Sequence, residues 1–327
     1  MQEQRPRVAG EEIEGSDVGG GRGAVAVYAP RAAAALDALE AVVWQRLDAN
    51  LVDLAARVCA SLHGIPALAR PVDLGPGPWA SREVSAWRSF GELSDAQLVA
   101  IEFAEQFGLD VSAVSDELRA ALLRAYGDAA AVVGHAIYVA DVIPRARFVL
   151  DRLFGASAAA VPTSRPRVDP DATIWTAIEE LIRVVPGLQG LDAITTELVR
   201  LRGARQHQCR LCQSLRSRSA LAAGAADDTF AAIDAYVTSD LPDAVKAALA
   251  VTDTFIWTPG RLSDEEVAGL RKHFSPAQQV ELVLDITRNA TNKFAVSLAA
   301  DAANVSEGYE IYEVAADGSI RYGLSHP

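Results

Sequence analysis

Two cysteines and one glutamate near residue 200 are the side chains whose types and spacing could do chemistry. Cys209 and Cys212 form a C-x-x-C motif, and Glu197 lies twelve residues before the first cysteine. Two thiols three residues apart on one helix face can reach disulfide geometry, and a helix N-terminus with nearby cations stabilises a thiolate. In an intracellular protein, this motif is typical of a redox pair or of half a zinc site.

The residues around Glu197 place its carboxylate on an apolar helix face. Apolar residues recur at helical spacing in this segment, at Ile194, Leu198 and Leu201. Glu197 falls within that stripe, whereas Arg200 and Arg202 are expected on the polar face. A carboxylate among apolar neighbours is either paired or raised in pKa, and a group with a raised pKa can exchange protons near neutral pH. A glutamate paired with a neighbouring arginine is the structural alternative.

The thiols are predicted to open a second helix surrounded by positive charge. Gly203 is expected to end the Glu197 helix, and Cys209 to begin the next one. Four arginines lie in this region, namely Arg205, Arg210, Arg216 and Arg218. Arg216 follows Cys212 by four residues, so helical spacing would place it on the thiol face, where a cation stabilises a thiolate.

Zinc binding is the first alternative for these cysteines. His207 completes an H-x-C-x-x-C pattern, and Glu197 would supply a fourth ligand. The sequence has neither a second C-x-x-C nor a paired histidine cluster, so no bound metal is expected. Two inert buried cysteines are the second alternative. His207 falls in a predicted loop, where an exposed side chain is favoured over a proton relay.

The composition indicates a globular protein without a nucleic-acid or membrane partner. The chain has 327 residues, of which 50% are hydrophobic, and a net charge of −13. An acidic surface disfavours nucleic acids and anionic membranes. Three cysteines are too few for a disulfide scaffold, and no run of 18 apolar residues predicts a membrane span. The charged, Gly-rich N-terminus does not resemble a secretory signal, so a cytoplasmic location is expected.

The chain is predicted to contain two helical domains. Residues 1–24 are charged and Gly-rich, which predicts a disordered tail. Residues 155–172 are rich in proline and small residues, which predicts a linker. The two domains are therefore expected at residues 25–154 and 173–327.

The two domains resemble each other, which indicates a duplication. An offset of 148 places Leu93–Ala96 on Leu241–Ala244, and the register continues for about 30 residues without a gap. Further upstream, an offset of 147 places Asn50 opposite Glu197, with no cysteine opposite the C-x-x-C motif. The first domain is therefore expected to keep the scaffold and to lack the chemistry.

Helical patterns dominate both domains. Gly127 suits the C-cap of one predicted helix, and Ser263 with Glu266 forms a predicted capping box at the start of another. A polar stripe that begins at Asp285 is interpreted as a solvated helix face. Strand-like alternation occurs mainly in YEIYEV and SIRYGL near the C-terminus. The predicted fold class is all-α, with a short C-terminal β-hairpin.

The segment from Glu197 to Cys212 resembles the alkylhydroperoxidase AhpD-like family of the carboxymuconolactone decarboxylase superfamily. The resemblance rests on ELVRLR followed by C-x-x-C, and on the downstream SDEEVxxLRKHFS and VELVLxIxRNAxNK segments. It covers residues 173–303 well and residues 40–154 faintly. It implies two tandem AhpD-like modules, of which the second is active.

The resemblance also implies a thiol peroxidase. By position, Cys212 would be the peroxidatic cysteine, Cys209 the resolving cysteine and Glu197 the proton-relay carboxylate. The substrate would be a hydroperoxide, and a lipoyl-type or thioredoxin-like dithiol donor would restore the thiols, with no bound cofactor. Family modules form symmetric oligomers, so a small homo-oligomer is expected.

Two positions depart from the family pattern. The family has histidines where this chain has Leu211 and Arg216. Arg216 cannot move a proton at neutral pH, although it can stabilise a thiolate, and His207 is a further relay candidate. The alternatives are a decarboxylase-like enzyme, which would not depend on the thiols, and a non-catalytic redox-sensing or assembly module.

Overall fold

Helices dominate the computed structural model, which describes residues 18–156, 168–315 and 317–327. Within these ranges the first half has six α-helices: α1 (Gly20–Tyr28), α2 (Pro30–Arg46), α3 (Ala49–His63), α4 (Asp95–Leu109), α5 (Asp116–Tyr126) and α6 (Ala130–Phe154). The second half has nine: α7 (Ile174–Val184), α8 (Ala193–Gln206), α9 (Arg210–Gln213), α10 (Arg218–Ala222), α11 (Asp227–Ala231), α12 (Asp243–Trp257), α13 (Asp264–His273), α14 (Pro276–Asn289) and α15 (Asn292–Ser297).

In the part of the chain that the structure describes, three short strands form one small sheet, namely β1 (Leu215–Ser217), β2 (Glu310–Val314) and β3 (Ile320–Arg321). β2 and β3 pair in antiparallel fashion, and β1 adds to β2 in parallel. The predicted all-α class and the C-terminal hairpin are therefore confirmed. β1 was not predicted, because three residues between two short helices are too few to show a strand period.

Caps set the predicted helix ends. Gly127 ends α5 with φ 52°, a conformation that favours glycine. At the start of α13, the Ser263 hydroxyl accepts the Glu266 N–H, and the Glu266 carboxylate accepts the Ser263 N–H. Both predicted caps are confirmed.

One continuous hydrophobic core runs through the two halves. α2 packs against α7 and α6 against α14, so helices of the two halves pair with each other. Two glycines permit close approaches between the halves. A side chain at Gly134 would collide with the Phe294 ring, and one at Gly260 with the His63 carbonyl.

The two halves present their elements in the same order. α4 and α12 begin and end 148 residues apart, and the 3₁₀ turns Val111–Ala113 and Pro259–Arg261 keep this offset. The register predicted for this region therefore coincides with the boundaries of the elements.

The offset is 144 at α3 and α8, not the 147 predicted from the sequence. Three cap features recur at this spacing, namely the N-cap carboxylates, the left-handed residues after the helices, and an N–H that donates five residues back (Asp48 and Asp192, Gly64 and Gln208, Ile65 and Cys209). Asp53, and not Asn50, therefore occupies the place of Glu197.

The predicted N-terminal tail extends too far. α1 begins at Gly20, and Ala24 and Val25 are buried where α1 packs against α6. Apolar burial by this short helix offsets the entropy of ordering it, which the glycine content of the segment obscured. Residues 1–17 of the tail and 157–167 of the predicted linker lie outside the described residues.

Among the described residues, the helical stretch Asp116–Phe154 is long and apolar enough to cross a membrane by length and composition alone. Of the most apolar window of this stretch, 78% is buried inside the protein. The core helix of a globular protein can have the same length and composition.

Candidate redox site

A left-handed turn at the end of α8 leads the chain into the first cysteine. α8 continues three residues beyond Gly203, so the predicted helix end at this glycine is wrong. α8 ends at Gln206, and two residues later Gln208 adopts φ 53°. The Cys209 N–H then donates to the Ala204 carbonyl at 2.9 Å, as in a Schellman cap.

Cys209 and Cys212 form a disulfide, with their Cα atoms 5.4 Å apart. Both residues are buried, with exposed fractions of 1% for Cys209 and 5% for Cys212. Cys209 is the N-cap of α9, as predicted, and its Sγ accepts the Cys212 N–H at 3.3 Å. A backbone N–H directed at a sulfur stabilises that sulfur as a thiolate once the disulfide is reduced.

A buried carboxylate that sequence reasoning missed fixes the start of α9. Asp301 accepts the Arg210 N–H at 2.8 Å and the Arg210 guanidinium at 2.7 Å. Its carbonyl accepts the Leu211 N–H at 2.9 Å. Burial alone would raise the pKa of Asp301, but the hydrogen bonds from Arg210 hold this pKa below its usual value. The chain after α15 is thereby attached to the disulfide segment.

Glu197 is buried, as predicted, and its carboxylate is fully hydrogen-bonded. Arg200 donates to it from Nε at 2.6 Å and from Nη2 at 2.7 Å. The Ser217 N–H and the Tyr312 hydroxyl complete the set at 3.0 and 2.8 Å. The prediction that Arg200 lies on a polar face is wrong, because this side chain is buried with Glu197. The arrangement is the structural alternative of a glutamate paired with an arginine.

Arg200 also connects the buried glutamate to the cysteine segment. Its Nη1 donates to the Cys212 carbonyl at 2.8 Å, and its Nη2 to the Leu215 carbonyl at 2.9 Å. The guanidinium lies 5.2 Å from the centre of the Tyr312 ring, within cation–π range. The Glu197–Arg200 pair therefore holds the backbone that follows the second thiol.

Arg216 does not share a helix face with the cysteines, because α9 ends at Gln213 and Arg216 lies in β1. Its Nη1 donates to the Gln213 and Leu215 carbonyls at 2.8 and 2.7 Å. Its guanidinium lies about 5 Å from the ring centres of Phe230 and Tyr309. Its buried Nε has no hydrogen-bond partner among the described residues.

His207 is buried, so its expected exposure is wrong. Burial, reinforced by the positive charges of Lys293 and Arg145, lowers the pKa of His207 well below its usual value. The imidazole is therefore neutral at physiological pH and does not supply a positive charge to the thiols.

A buried ion cluster lies between the two halves, and its charges act on His207. Asp141 accepts Arg145 Nε at 3.0 Å and Lys293 Nζ at 2.6 Å. Arg145 Nη2 also donates to His63 Nε2 at 2.6 Å. Burial would raise the pKa of Asp141, but the two cations hold it well below its usual value. Burial lowers the pKa of Lys293 to about 8.

Sequence reasoning missed this cluster, although one feature of the sequence could have indicated it. Arg145 and Lys293 are 148 residues apart, which is the repeat offset. His63 is a buried member of the cluster.

Asp285 is buried, so the interpretation of its stripe as a solvated face is wrong. Its Oδ2 has no hydrogen-bond partner among the described residues. Burial, with the nearby charge of Glu281, raises the pKa of Asp285 to about 8. The carboxyl is therefore mostly protonated near neutral pH.

In the part of the chain that the structure describes, no three His, Cys, Asp or Glu side chains form a group that could hold a metal ion. Glu197 is paired with Arg200, and the cysteines are bonded to each other. The zinc interpretation therefore lacks a free set of ligands in this arrangement.

The fold and the site define an all-α protein of two similar halves, with a buried C-x-x-C disulfide in the second half. The chain belongs to a family that includes the uncharacterized proteins MT2376 and Rv2313c from two strains of Mycobacterium tuberculosis. Each is 39% identical to it over 279 residues, which covers 84% of this chain and 93% of the relative. No protein-family model matches the chain, and no solved structure matches it.

Proposed function

We propose that this protein is a thiol–disulfide oxidoreductase of the AhpD-like type that reduces hydroperoxides. The observation that carries the proposal is the Cys209–Cys212 disulfide at the start of α9, twelve residues after a buried glutamate. The same spacing supports membership of the carboxymuconolactone decarboxylase superfamily. Reversible disulfide formation is the chemistry that such a pair performs.

The proposed cycle begins at Cys212. Its thiolate attacks the distal oxygen of a hydroperoxide, the O–O bond breaks, and the alkoxide leaves as an alcohol after taking up a proton. Cys212 is then a sulfenic acid. The Cys209 thiolate attacks this sulfur, forms the disulfide and releases hydroxide, which is protonated to water. An external dithiol is oxidised to its own disulfide as it returns both cysteines to thiols.

The contacts around the two sulfurs support this division of roles. The Cys212 N–H that donates to Cys209 Sγ favours a thiolate on the resolving cysteine. Cys212 is the more exposed of the two, as the residue that meets the peroxide should be.

Glu197 acts in this proposal as a positioning residue. Its carboxylate accepts four hydrogen bonds. Arg200, which donates two of them, also donates to the Cys212 carbonyl, so Glu197 helps to fix the position of Cys212. The proton for the leaving alkoxide would then come from water, because the neutral His207 has no imidazolium proton to give. Arg216 would stabilise the thiolate through its positive charge.

The proposed reductant is a lipoyl-type or thioredoxin-like dithiol, and the protein itself is proposed to need no bound cofactor. In a homo-oligomer of this chain, the first half would replace contacts that a second subunit provides in AhpD-like proteins with one module. The shared core of the two halves supports this arrangement.

The proposal is tested by measuring peroxide consumption with a dithiol donor in three variants, each of which replaces one cysteine by serine. Cys212→Ser should abolish turnover, and Cys209→Ser should stop the reaction at the sulfenic acid. Cys59→Ser is the matched control and should leave turnover unchanged, because Cys59 lies in the core of the first half. Undiminished turnover in Cys212→Ser would refute the proposed nucleophile. Insensitivity to thiol alkylation would instead favour a decarboxylase-like reaction.

A redox-sensing or assembly role is the second candidate, and the attachment of the C-terminal segment favours it. Asp301 holds α9, and the Glu310 N–H donates to the Ser214 carbonyl at 2.8 Å. Reduction of the disulfide would then loosen β2. Hydrogen exchange at β2 that rises on reduction, without peroxide turnover in the same preparation, is the result expected of a sensor.

A further inference from the structure

The first half has a buried carboxylate at the place of Glu197. Asp53 on α3 lies 144 residues before Glu197 on α8, which is the offset at which the caps of the two helices coincide. Asp53 has an exposed fraction of 7%, so its side chain is largely removed from solvent. The sequence alignment did not show this correspondence, because its offset of 147 differs by three residues from the structural offset of 144.

The two carboxylates differ in their partners. Glu197 accepts hydrogen bonds from Arg200, Ser217 and Tyr312. Asp53 has no hydrogen bond or ion pair with any residue in the described ranges, and the counterpart of Arg200 on α3 is Ala56. A buried carboxylate without donors costs free energy, unless a ligand or water supplies them.

Asp53 lines an open cleft of about 380 Å³. Gly77 lines the cleft beside Asp53, where a Cβ atom would lie 2.9 Å from Asp53 Oδ2. Because Gly77 has no side chain, the backbone packs beside the carboxylate and no side chain at this position covers it. This volume is large enough for a molecule of a few heavy atoms.

Two arginines line the same cleft, and the backbone holds both guanidinium groups in place. Arg57 donates to the Trp79 and Arg82 carbonyls at 2.8 Å each. Arg70 donates to the Gly75 carbonyl at 2.8 Å and to the Ala49 carbonyl at 2.7 Å. A guanidinium has five N–H donors, so Arg57 retains donors for a ligand. Among the described residues neither arginine forms an ion pair with Asp53, although the positive charges of both act on its carboxylate.

We propose that this cleft binds a small organic acid that carries a hydrogen-bond donor beside its carboxylate, as α-amino and α-hydroxy acids do. The ligand carboxylate faces Arg57 and Arg70, and the adjacent ammonium or hydroxyl donates to Asp53. A ligand of this kind supplies the hydrogen-bond donor that the Asp53 carboxylate lacks, and its own carboxylate supplies a negative charge for the two arginines. The site does not involve the cysteines.

The test is a binding titration of the full chain by calorimetry, with four probes of similar size. L-alanine and L-lactate carry both groups, whereas propionate has only the carboxylate and n-propylamine only the donor. Saturable binding of alanine, lactate or both, with weaker binding of propionate and propylamine, supports the proposal. Preference for alanine identifies an amino-acid site, and preference for lactate a hydroxy-acid site. Equal binding of propionate, or no saturable binding of either two-group acid, would overturn it.

Variants locate the binding in the cleft. Asp53→Asn and Arg57→Met should each weaken the best probe by about tenfold, because each removes a charged partner. Glu102→Gln, an exposed carboxylate-to-amide change on α4, is the matched control and should leave the affinity unchanged. Thermal unfolding of each variant establishes that it is folded. Unchanged affinity in both folded cleft variants would contradict the proposed site.

Discussion

The ends of α3 and α8 have the same backbone geometry and different side chains. In each half a histidine precedes a left-handed residue, and the next N–H donates five residues back (His63, Gly64 and Ile65 in the first half, His207, Gln208 and Cys209 in the second). The second half has its first thiol where the first half has isoleucine. The shared cap therefore fixes the position at which a reactive group can be placed, and the residue there decides the chemistry.

The buried carboxylates of these helices show the same contrast. Glu197 is part of the structure, because Arg200 and Tyr312 satisfy it and connect it to the disulfide segment and to β2. Asp53 faces an open cleft, and burial raises its pKa despite Arg70 and Arg57. One carboxylate thus stabilises its half, whereas the other is available for binding.

The largest difference between the halves is expected when each carboxylate becomes an amide. Glu197→Gln leaves the buried Arg200 without a counter-charge, which should lower the free energy of unfolding by about 3–5 kcal/mol. Asp53→Asn removes a desolvated, unpaired carboxyl. This variant should lower the free energy of unfolding by no more than about 1 kcal/mol, or raise it. Denaturant unfolding of the oxidised protein measures both. Equal losses would show that the two carboxylates have the same structural role.

A second contrast concerns Asp285, whose counterpart at the repeat offset of 148 is the buried Ile137. The pKa of Asp285 is raised to about 8 in the folded state, so the folded protein keeps a proton that the unfolded chain releases. Stability from this group is present below its ordinary pKa of 3.8 and is lost as pH rises to about 8. Asp285→Asn should therefore be more stable than the unaltered protein by roughly 2–4 kcal/mol at pH 8, with little gain at pH 4.

Unfolding free energies at a series of pH values measure this difference. Glu265→Gln, an exposed change on α13, is the control and should show no such pH-dependent gain. A pH-independent difference between Asp285→Asn and the unaltered protein would mean that Asp285 is ionised in the folded state.

Local patterns predicted what depends on neighbouring residues. The helices, the capping box at Ser263, the Gly127 cap and the C-terminal hairpin follow from periods and caps within a few residues. The spacing of Cys209 and Cys212 likewise brought the two sulfurs together. Burial of Glu197 could be predicted because it depends only on which face of its own helix is apolar.

Tertiary partners could not be predicted in this way. Asp301 reaches Arg210 across 91 residues, and Tyr312 reaches Glu197 across 115. Arg200 is polar by type, yet Glu197, the Cys212 and Leu215 carbonyls and the Tyr312 ring make its burial possible. The helix end after Gly203 was misplaced because a non-glycine residue, Gln208, adopts the left-handed conformation that usually identifies glycine.

The smallest effect expected is an exchange at the two left-handed positions. Gln208 has φ 53° and Gly64 has φ 62°, so the same conformation is strained in one half and relaxed in the other. Gln208→Gly should raise the free energy of unfolding by about 0.5 kcal/mol, since relief of strain exceeds the added freedom of the unfolded chain. Gly64→Gln should lower it by about 1 kcal/mol, because an added Cβ at Gly64 meets no atom within 4 Å and only the backbone strain remains. Thermal unfolding of the two oxidised variants measures both changes. Destabilisation by both substitutions would mean that contacts of the Gln208 side chain, and not the backbone conformation, determine the stability of the turn before the disulfide.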